Sequence, residues 1–352
     1  MEPKEGSVTP LQIATAFAGS FLGAGFVSGQ ELLQFFAQFG SWGFAGMAVA
    51  VALFFAMGSL VMLVARRTNC IEFDKIIVRR ENRPLRLFFQ AVILFFLFGV
   101  VVVMVAGAGS LWQQLLGLPR LVGSVALCVL IAVVAMSGAQ GVLRVFSFVV
   151  PAMVLLAVVV SVLAVSSLPR DYTVLVVQQN PLLQNWLLSA LTFVSYNLLA
   201  AISIIVPIAV QTSEEGQIRK GITLGCGLLT VIFLCILLPL TRNLPLAASS
   251  DLPMLSLAQA VSPALGMVYG VLLFAGMFGS ALSCLFGVQA RLQSGSHLSG
   301  KGIILAVCLL ALAGSAVGFK ELIGVVYPLC GYVGILAIAG ILAHWLHLRR
   351  SH

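Results

Sequence analysis

The chain reads as an all-α polytopic membrane protein whose ten transmembrane helices form a five-plus-five inverted repeat, with spans 1 and 6 discontinuous. Three observations lead there. Hydrophobic residues make up 61% of the 352 and charged residues only 9%, whereas about a quarter of a soluble domain is charged. Apolar runs of roughly 20 residues recur along the chain, the length that crosses a bilayer as a helix. Those runs fall into two sets of five with matching spacing.

Taken in order, apolar stretches between charged or Pro/Gly-rich breaks place span 1 at about 10–38, ahead of Gly40. Span 2 covers about 41–65 and stops at Arg66-Arg67. Spans 3, 4 and 5 follow at about 86–117, 120–138 and 141–166, the first two parted by Pro119-Arg120. The second set runs about 186–212, 219–241, 263–290, 301–319 and 321–347. Each start trails its counterpart by roughly 176–181 residues, which is the signature of an internal repeat. Because five is odd, the second half enters the membrane from the opposite side. The segments are therefore 1–9 (cytoplasmic N-terminus), 10–166 (first repeat), 167–185 (extracytoplasmic connection), 186–347 (second repeat) and 348–352 (cytoplasmic tail).

Charge sets the orientation. The linker at 66–85 carries Arg66, Arg67, Lys75, Arg79, Arg80 and Arg83, while its counterpart at 242–262 carries Arg242 with Asp251. With the N-terminus inside, all of the 19 Lys and Arg residues except Arg120, Arg170, Arg242 and Lys320 fall on the cytoplasmic side. That distribution, rather than a phosphate-binding face, accounts for the net charge of +8. Trp42, Trp112 and Trp186 fall at the outer interface and Trp345 at the inner one, where indoles anchor. The first run is too long for a signal h-region and lacks a net-positive start, so it reads as a retained span. The seven cysteines (70, 128, 226, 235, 284, 308 and 330) show no metal or disulfide spacing. His344 and His347 sit beside Arg349 and Arg350 and read as interfacial.

The feature that breaks the apolar pattern is Gly23-Ala-Gly-Phe-Val-Ser-Gly-Gln-Glu31 in span 1. Three glycines within seven positions weaken a helix, and irregular backbone at membrane depth is tolerated where it lines a cavity. Glu31 is the one acidic residue placed inside an apolar span, and an intramembrane carboxylate is expensive unless it serves something. Ser28 and Glu31 also fit the capping box S-x-x-E, so Glu31 reads both as a proton acceptor or counter-ion and as a helix cap. Span 6 carries Ser195, Tyr196 and Asn197 at the matching place. Paired interruptions in two repeats point to a transporter's binding site, because unwound backbone offers N–H groups to anions and C=O groups to cations. In span 8, Gly276, Gly279, Ser280, Ser283 and Gly287 share one face, which reads either as close helix packing or as a candidate ion site at Ser280 and Ser283. Gly99, Ala106, Gly107 and Gly109 make a similar packing patch in span 3.

The plan, with spans 1 and 6 broken, resembles the LeuT-fold transporters of the amino acid–polyamine–organocation type. Leu22-Gly-Ala-Gly-Phe-Val-Ser-Gly-Gln-Glu-Leu32 and the Tyr196-Asn197 pair resemble, more specifically, the YkvI-type bacterial membrane proteins. The resemblance implies a bacterial cytoplasmic (inner) membrane and substrate contacts at Gly23, Ala24 and Gly25. Sodium-coupled members place two adjacent hydroxyls in span 8; here Ser280 and Ser283 are not adjacent.

The expected function is secondary active transport of a small polar organic solute, an amino acid or amine, by alternating access, coupled to H⁺ or Na⁺. Gly23, Ala24, Gly25, Ser28, Tyr196 and Asn197 are the expected substrate contacts, and Glu31 the coupling residue. No further cofactor and no resident metal is expected. The alternative is a non-transporting receptor that senses a small molecule through the same pocket. An enzyme is disfavoured because no nucleophile–base pair can be assembled, and no nucleotide-binding G-x-x-x-x-G-K-[ST] run occurs. The expected partners are the solute and the lipid bilayer, not nucleic acid, and no feature sets an oligomeric state.

Overall fold

A computed structural model describes residues 8–69, 83–137, 142–169, 180–212, 214–293 and 299–350. Expectations resting on Cys70, Lys75, Arg79, Arg80 and Arg170, on much of the linker 66–85 and the connection 167–185, and on the side chains of His344 and His347, lie outside the described residues. Among the described residues every regular element is helical.

Span 1 is divided into α1 (Pro10–Gly19), α2 (Ala24–Val27) and α3 (Gln30–Phe35), followed by a 3₁₀ turn. A capping box starts α1: Gln12 N donates to Thr9 Oγ1 at 3.3 Å, and Thr9 N donates to Gln12 Oε1 at 2.9 Å. Pro10 at the first helical position loses no bond by lacking an N–H. Gly40, in the left-handed region at φ 59°, turns the chain into α4 (Ser41–Thr68). That helix ends on left-handed Asn69, with Arg66 and Arg67 in the last turn where cations suit the dipole.

Helices α5 (Arg83–Leu116) and α6 (Arg120–Met136) then pack through small residues. A Cβ on Gly109 would lie 2.6 Å from Arg120 O, and one on Gly123 2.4 Å from Ala108 O. The span 3 glycine patch is therefore a packing face, as its spacing suggested. After α7 (Val142–Ser167), Asn185 caps α8 (Trp186–Gln211) by accepting from Leu188 N at 2.8 Å. Next come α9 (Glu215–Arg242), α10 (Leu244–Ala248), α11 (Pro253–Val261) and α12 (Pro263–Gln293). The chain closes with α13 (Gly300–Ser315) and α14 (Phe319–Arg350).

Among the described residues, six helices are long and apolar enough to cross a membrane, or seven if the two arms of α8 count as one bent span. With 17 and 16 residues, α6 and α13 fall short of that length. The segment 242–262, expected as a simple linker, instead holds α10 and α11. Pro245 and Pro253 supply the preset φ that opens each of these helices. Large side chains such as Leu155, Val271 and Leu309 are at least 60% exposed on the outward faces, which suits lipid rather than water. Trp42 and Trp186 stack at 5.5 Å on neighbouring helix starts.

The interior packs around span 1. Helix α1 lies on α9, and α4 on α8. On the α3 side of the break, Phe193 meets Phe35, Phe36 and Phe233 edge-on at 5.0–5.5 Å between ring centroids, filling the space between α3, α8 and α9. On the α1 side, Phe21 stands between Phe17 and Phe54, with ring centroids 4.9 and 4.4 Å away.

Candidate functional site

The interruption expected over Gly23–Gly29 consists of two separate breaks flanking α2. At the first, Ser20 ends α1 by donating its N–H to Ala16 O at 3.0 Å and its hydroxyl to Phe17 O at 2.7 Å. The chain then runs through Gly23, an extended residue (ψ 172°) that heads α2 without any side-chain cap. The N–H groups of Ala24, Gly25 and Phe26, which a helix start leaves open, meet no acceptor among the described residues. At the second break Gly29 takes φ 83°, a left-handed conformation that favours glycine. A Cβ there would also sit 2.8 Å from Met254 Cγ. Neighbouring elements satisfy the freed carbonyls: Met254 N of α11 donates to Ser28 O at 3.0 Å, and Tyr269 Oη of α12 donates to Val27 O at 2.5 Å.

The capping box expected from Ser28 and Glu31 does not form. Left-handed Gly29 takes the N-cap position of α3, and Ser28 instead closes α2. The Ser28 hydroxyl donates to Gly25 O at 2.7 Å and accepts from Gln30 N at 3.2 Å. Being wholly buried and already committed to backbone, Ser28 does not line the cavity, so it is removed from the expected substrate contacts. Released from capping, Glu31 turns inward, where Tyr196 Oη donates to its Oε2 at 2.6 Å.

Span 6 also departs from expectation. Helix α8 is continuous through Ser195–Asn197. Ser195 Oγ donates to Leu191 O at 2.6 Å and Asn197 Nδ2 to Phe193 O at 3.0 Å, one turn back along the same helix. The discontinuity is a bend of 59° between Trp186–Ile202 and Ile204–Gln211. It stands one turn before Pro207, whose ring displaces the carbonyl four residues earlier and removes a ladder bond.

A cavity of about 490 Å³ opens beneath these features. Span 1 contributes Gly23, Ala24, Gly25 and Glu31, and α8 contributes Tyr196 and Asn197. Helix α12 forms the facing wall with Ser280, Ser283, Cys284 and, farther along, Arg291. All expected site residues except Ser28 thus border one space. The α12 small-residue face packs closely at some positions and borders the cavity at others. Gly276 and Gly287 meet side chains of Met153 and Leu97, whereas the two serines face the cavity. Glu31 is only 5% exposed. It fits because Gly25 has no side chain: a Cβ there would lie 2.2 Å from Glu31 Oε1.

Three contributors were not singled out from sequence. Tyr327 of α14 and Phe96 of α5 border the cavity, with ring centroids 4.9 Å (Tyr327) and 6.2 Å (Phe96) from Tyr196. Met254 anchors the second break from the former linker. Tyr327 carried the one available signal, a hydroxyl in mid-span beside Pro328. Among the described residues no three His, Cys, Asp or Glu side chains group closely enough to hold a metal ion.

Two curated proteins of Bacillus subtilis (strain 168) are similar to the chain over most of its length. The membrane protein YkvI is 31% identical over 351 residues, covering 100% of both chains. The protein YyaD is 23% identical over 333 residues, covering 93% of this chain and 94% of its own. Among solved structures, a mutant of the manganese transporter of Eremococcus coleocola superposes with a TM-score of 0.59 at 13% identity, covering 92% of this chain and 75% of its own. The same transporter in complex with an aromatic bis-isothiourea substituted compound gives 0.53, again at 13%, covering 93% and 76%. At that identity the likeness is one of fold. No family profile matches the chain.

Proposed function

This chain belongs to the YkvI family of membrane proteins, and from that premise we propose that it is a secondary active transporter of a small polar organic solute, an amino acid or an amine. The observation that carries the reading is the cavity, with unwound span 1 backbone and one buried carboxylate in its wall. Gly276 lies beside Ala24, with a built Cβ 3.6 Å from the Ala24 methyl. Arg291 comes fifteen residues later on α12, roughly 22 Å along the axis. The space opens towards Arg291, on the side that charge distribution assigns to the cytoplasm. The reading takes the phenylalanine cluster and the Met254–Ser28 contact, beyond the second break, as its closed side. One open face and one closed face is what an alternating-access protein presents in one of its states.

The reading includes the ten-span inverted repeat. Helix pairings support it by exchanging between the halves: α4 on α8 corresponds to α9 on α1, and α12 on α7 to α5 on α14. The short α6 and α13 correspond to each other as spans 4 and 9. Coupling is assigned to H⁺ or Na⁺, with Glu31 as the proton acceptor and Ser280 and Ser283 as the candidate ion contacts. Both termini are placed in the cytoplasm of a bacterial inner membrane. An organic solute is favoured over a metal ion because the cavity offers one carboxylate among phenol, amide and hydroxyl groups, whereas divalent metals prefer several charged or imidazole ligands.

The test is gradient-driven uptake into proteoliposomes from a labelled pool of amino acids and amines. Accumulation above equilibrium under an imposed H⁺ or Na⁺ gradient is expected, and absence of accumulation under both gradients overturns the reading. Where H⁺ drives uptake, Glu31→Gln should abolish proton-driven accumulation while leaving solute exchange intact. Unchanged accumulation removes Glu31 from coupling.

A further inference from the structure

We propose that the inner end of the cavity selects an organic ammonium ion, with its charge on Glu31 and its carbon skeleton against Phe96, Tyr196 and Tyr327. The proposal rests on the transporter reading and narrows its substrate class. Among the described residues, Glu31 is the only acidic side chain bordering the cavity. Its side-chain partner, Tyr196, is a neutral phenol. The ion pairs among the described residues lie elsewhere, at Arg66 and Arg67 with Glu215 and at Arg120 with Asp251. Among the described residues Arg291 is the only basic side chain bordering the cavity, and the four helical turns of α12 between it and the level of Ala24 keep it from neutralising Glu31.

A buried carboxylate without a countercharge is costly, and a cationic ligand removes that cost on binding. A zwitterion removes it less well, because its own carboxylate must then be accommodated in the same space without a basic side chain nearby. The open N–H groups of α2 are a weak substitute: four residues sum too few peptide dipoles to act as a positive pole.

The rings supply the second argument. Tyr196 and Tyr327 lie 4.9 Å apart at 33°, and Phe96 stands 6.2 Å from each at 44° and 49°. All three border the cavity, and two flank the carboxylate: Tyr196 Oη donates to Glu31 Oε2, and Tyr327 Oη lies 3.5 Å from the Gly25 Cβ position that Glu31 also fills. Aromatic faces attract a cation within about 6 Å and are indifferent or repulsive to an anion. Leu97, Val100 and Met104 extend the wall with apolar groups suited to an alkyl chain.

Three probes that share an n-butyl chain separate the classes: n-butylammonium, its neutral isostere n-butanol, and the zwitterion norleucine. Each is titrated calorimetrically into the full-length protein in detergent, with thermal shift as a second readout. The expected result is binding of n-butylammonium alone, weakened more than tenfold by Glu31→Gln. Phe96→Leu and Tyr327→Leu should each weaken it about three- to tenfold, while Tyr327→Phe, which keeps the ring, should not. The ring variants serve as the test if Glu31→Gln fails to fold. Binding of norleucine without n-butylammonium overturns the ammonium assignment, as does n-butylammonium affinity unchanged by Glu31→Gln or by loss of the rings. Failure of all three probes to bind overturns it too. The broader reading fails separately: n-butylammonium that binds but never enters proteoliposomes, with no other solute in the labelled pool accumulating, leaves the ammonium site standing and removes transport.

Discussion

Gly23 and Gly25 stand two positions apart in the same break and meet different surroundings. No atom lies within 4 Å of a Cβ built on Gly23, whereas one on Gly25 reaches Glu31 Oε1 at 2.2 Å. Overpacking of that kind costs about 1–3 kcal/mol. Gly25→Ala should therefore lower solute uptake at least about tenfold at normal expression, and Gly23→Ala should stay within about twofold. Equal losses in both variants would mean that backbone freedom, not the space for Glu31, is what the glycines provide. This level of detail was partly legible in the sequence. Glycines, a carboxylate and a Tyr-Asn pair stand out against apolar spans, and all of them border the cavity. Ser28 misled because S-x-x-E has the same spacing whether or not the residue between takes a left-handed turn. Phe96 and Tyr327 were silent for the opposite reason: rings are ordinary in apolar spans, and only the packing of α5 and α14 brings them to span 1.

Among the elements, α8 shows where pattern reading and geometry part. Its polar triplet lies in unbroken helix, and the bend stands one turn before Pro207 instead. Polar side chains within a helix can bond back to carbonyls one turn earlier, as Ser195 and Asn197 do, so they need not interrupt it. Proline has no such option. Pro207→Ala should restore the missing ladder bond and straighten the helix. Spin labels at the two ends of α8 would then read a longer separation than in the parent protein, and an unchanged separation would assign the bend to packing. Most other helices begin and end within a few residues of their expected limits, because charge and Pro/Gly punctuation is unambiguous in so apolar a chain. The segment 242–262 is the exception. Its composition reads as linker, yet two prolines start helices there, and α11 reaches the second break through Met254.

For the whole molecule, the proposed repeat draws on two separate observations, a spacing of about 178 residues and an exchange of helix pairings between the halves. On the transporter reading the cavity opens towards Arg291, so access should be one-sided. Ser283→Cys, introduced after replacement of the native cysteines, should react with a membrane-impermeant thiol reagent from the cytoplasmic face and be protected by bound solute. Reaction from the outer face alone would reverse the orientation argued from Lys and Arg. The second break bears on energetics as well as architecture. Met254 and Tyr269 already hold the carbonyls of Ser28 and Val27, so that stretch of irregular backbone is ordered before any solute arrives. Its conformational entropy was lost during folding. A solute that binds beside it need spend little of its interaction energy on ordering peptide, and the remainder is free to favour one facing of the protein over the other, the only means by which a ligand moves such an equilibrium.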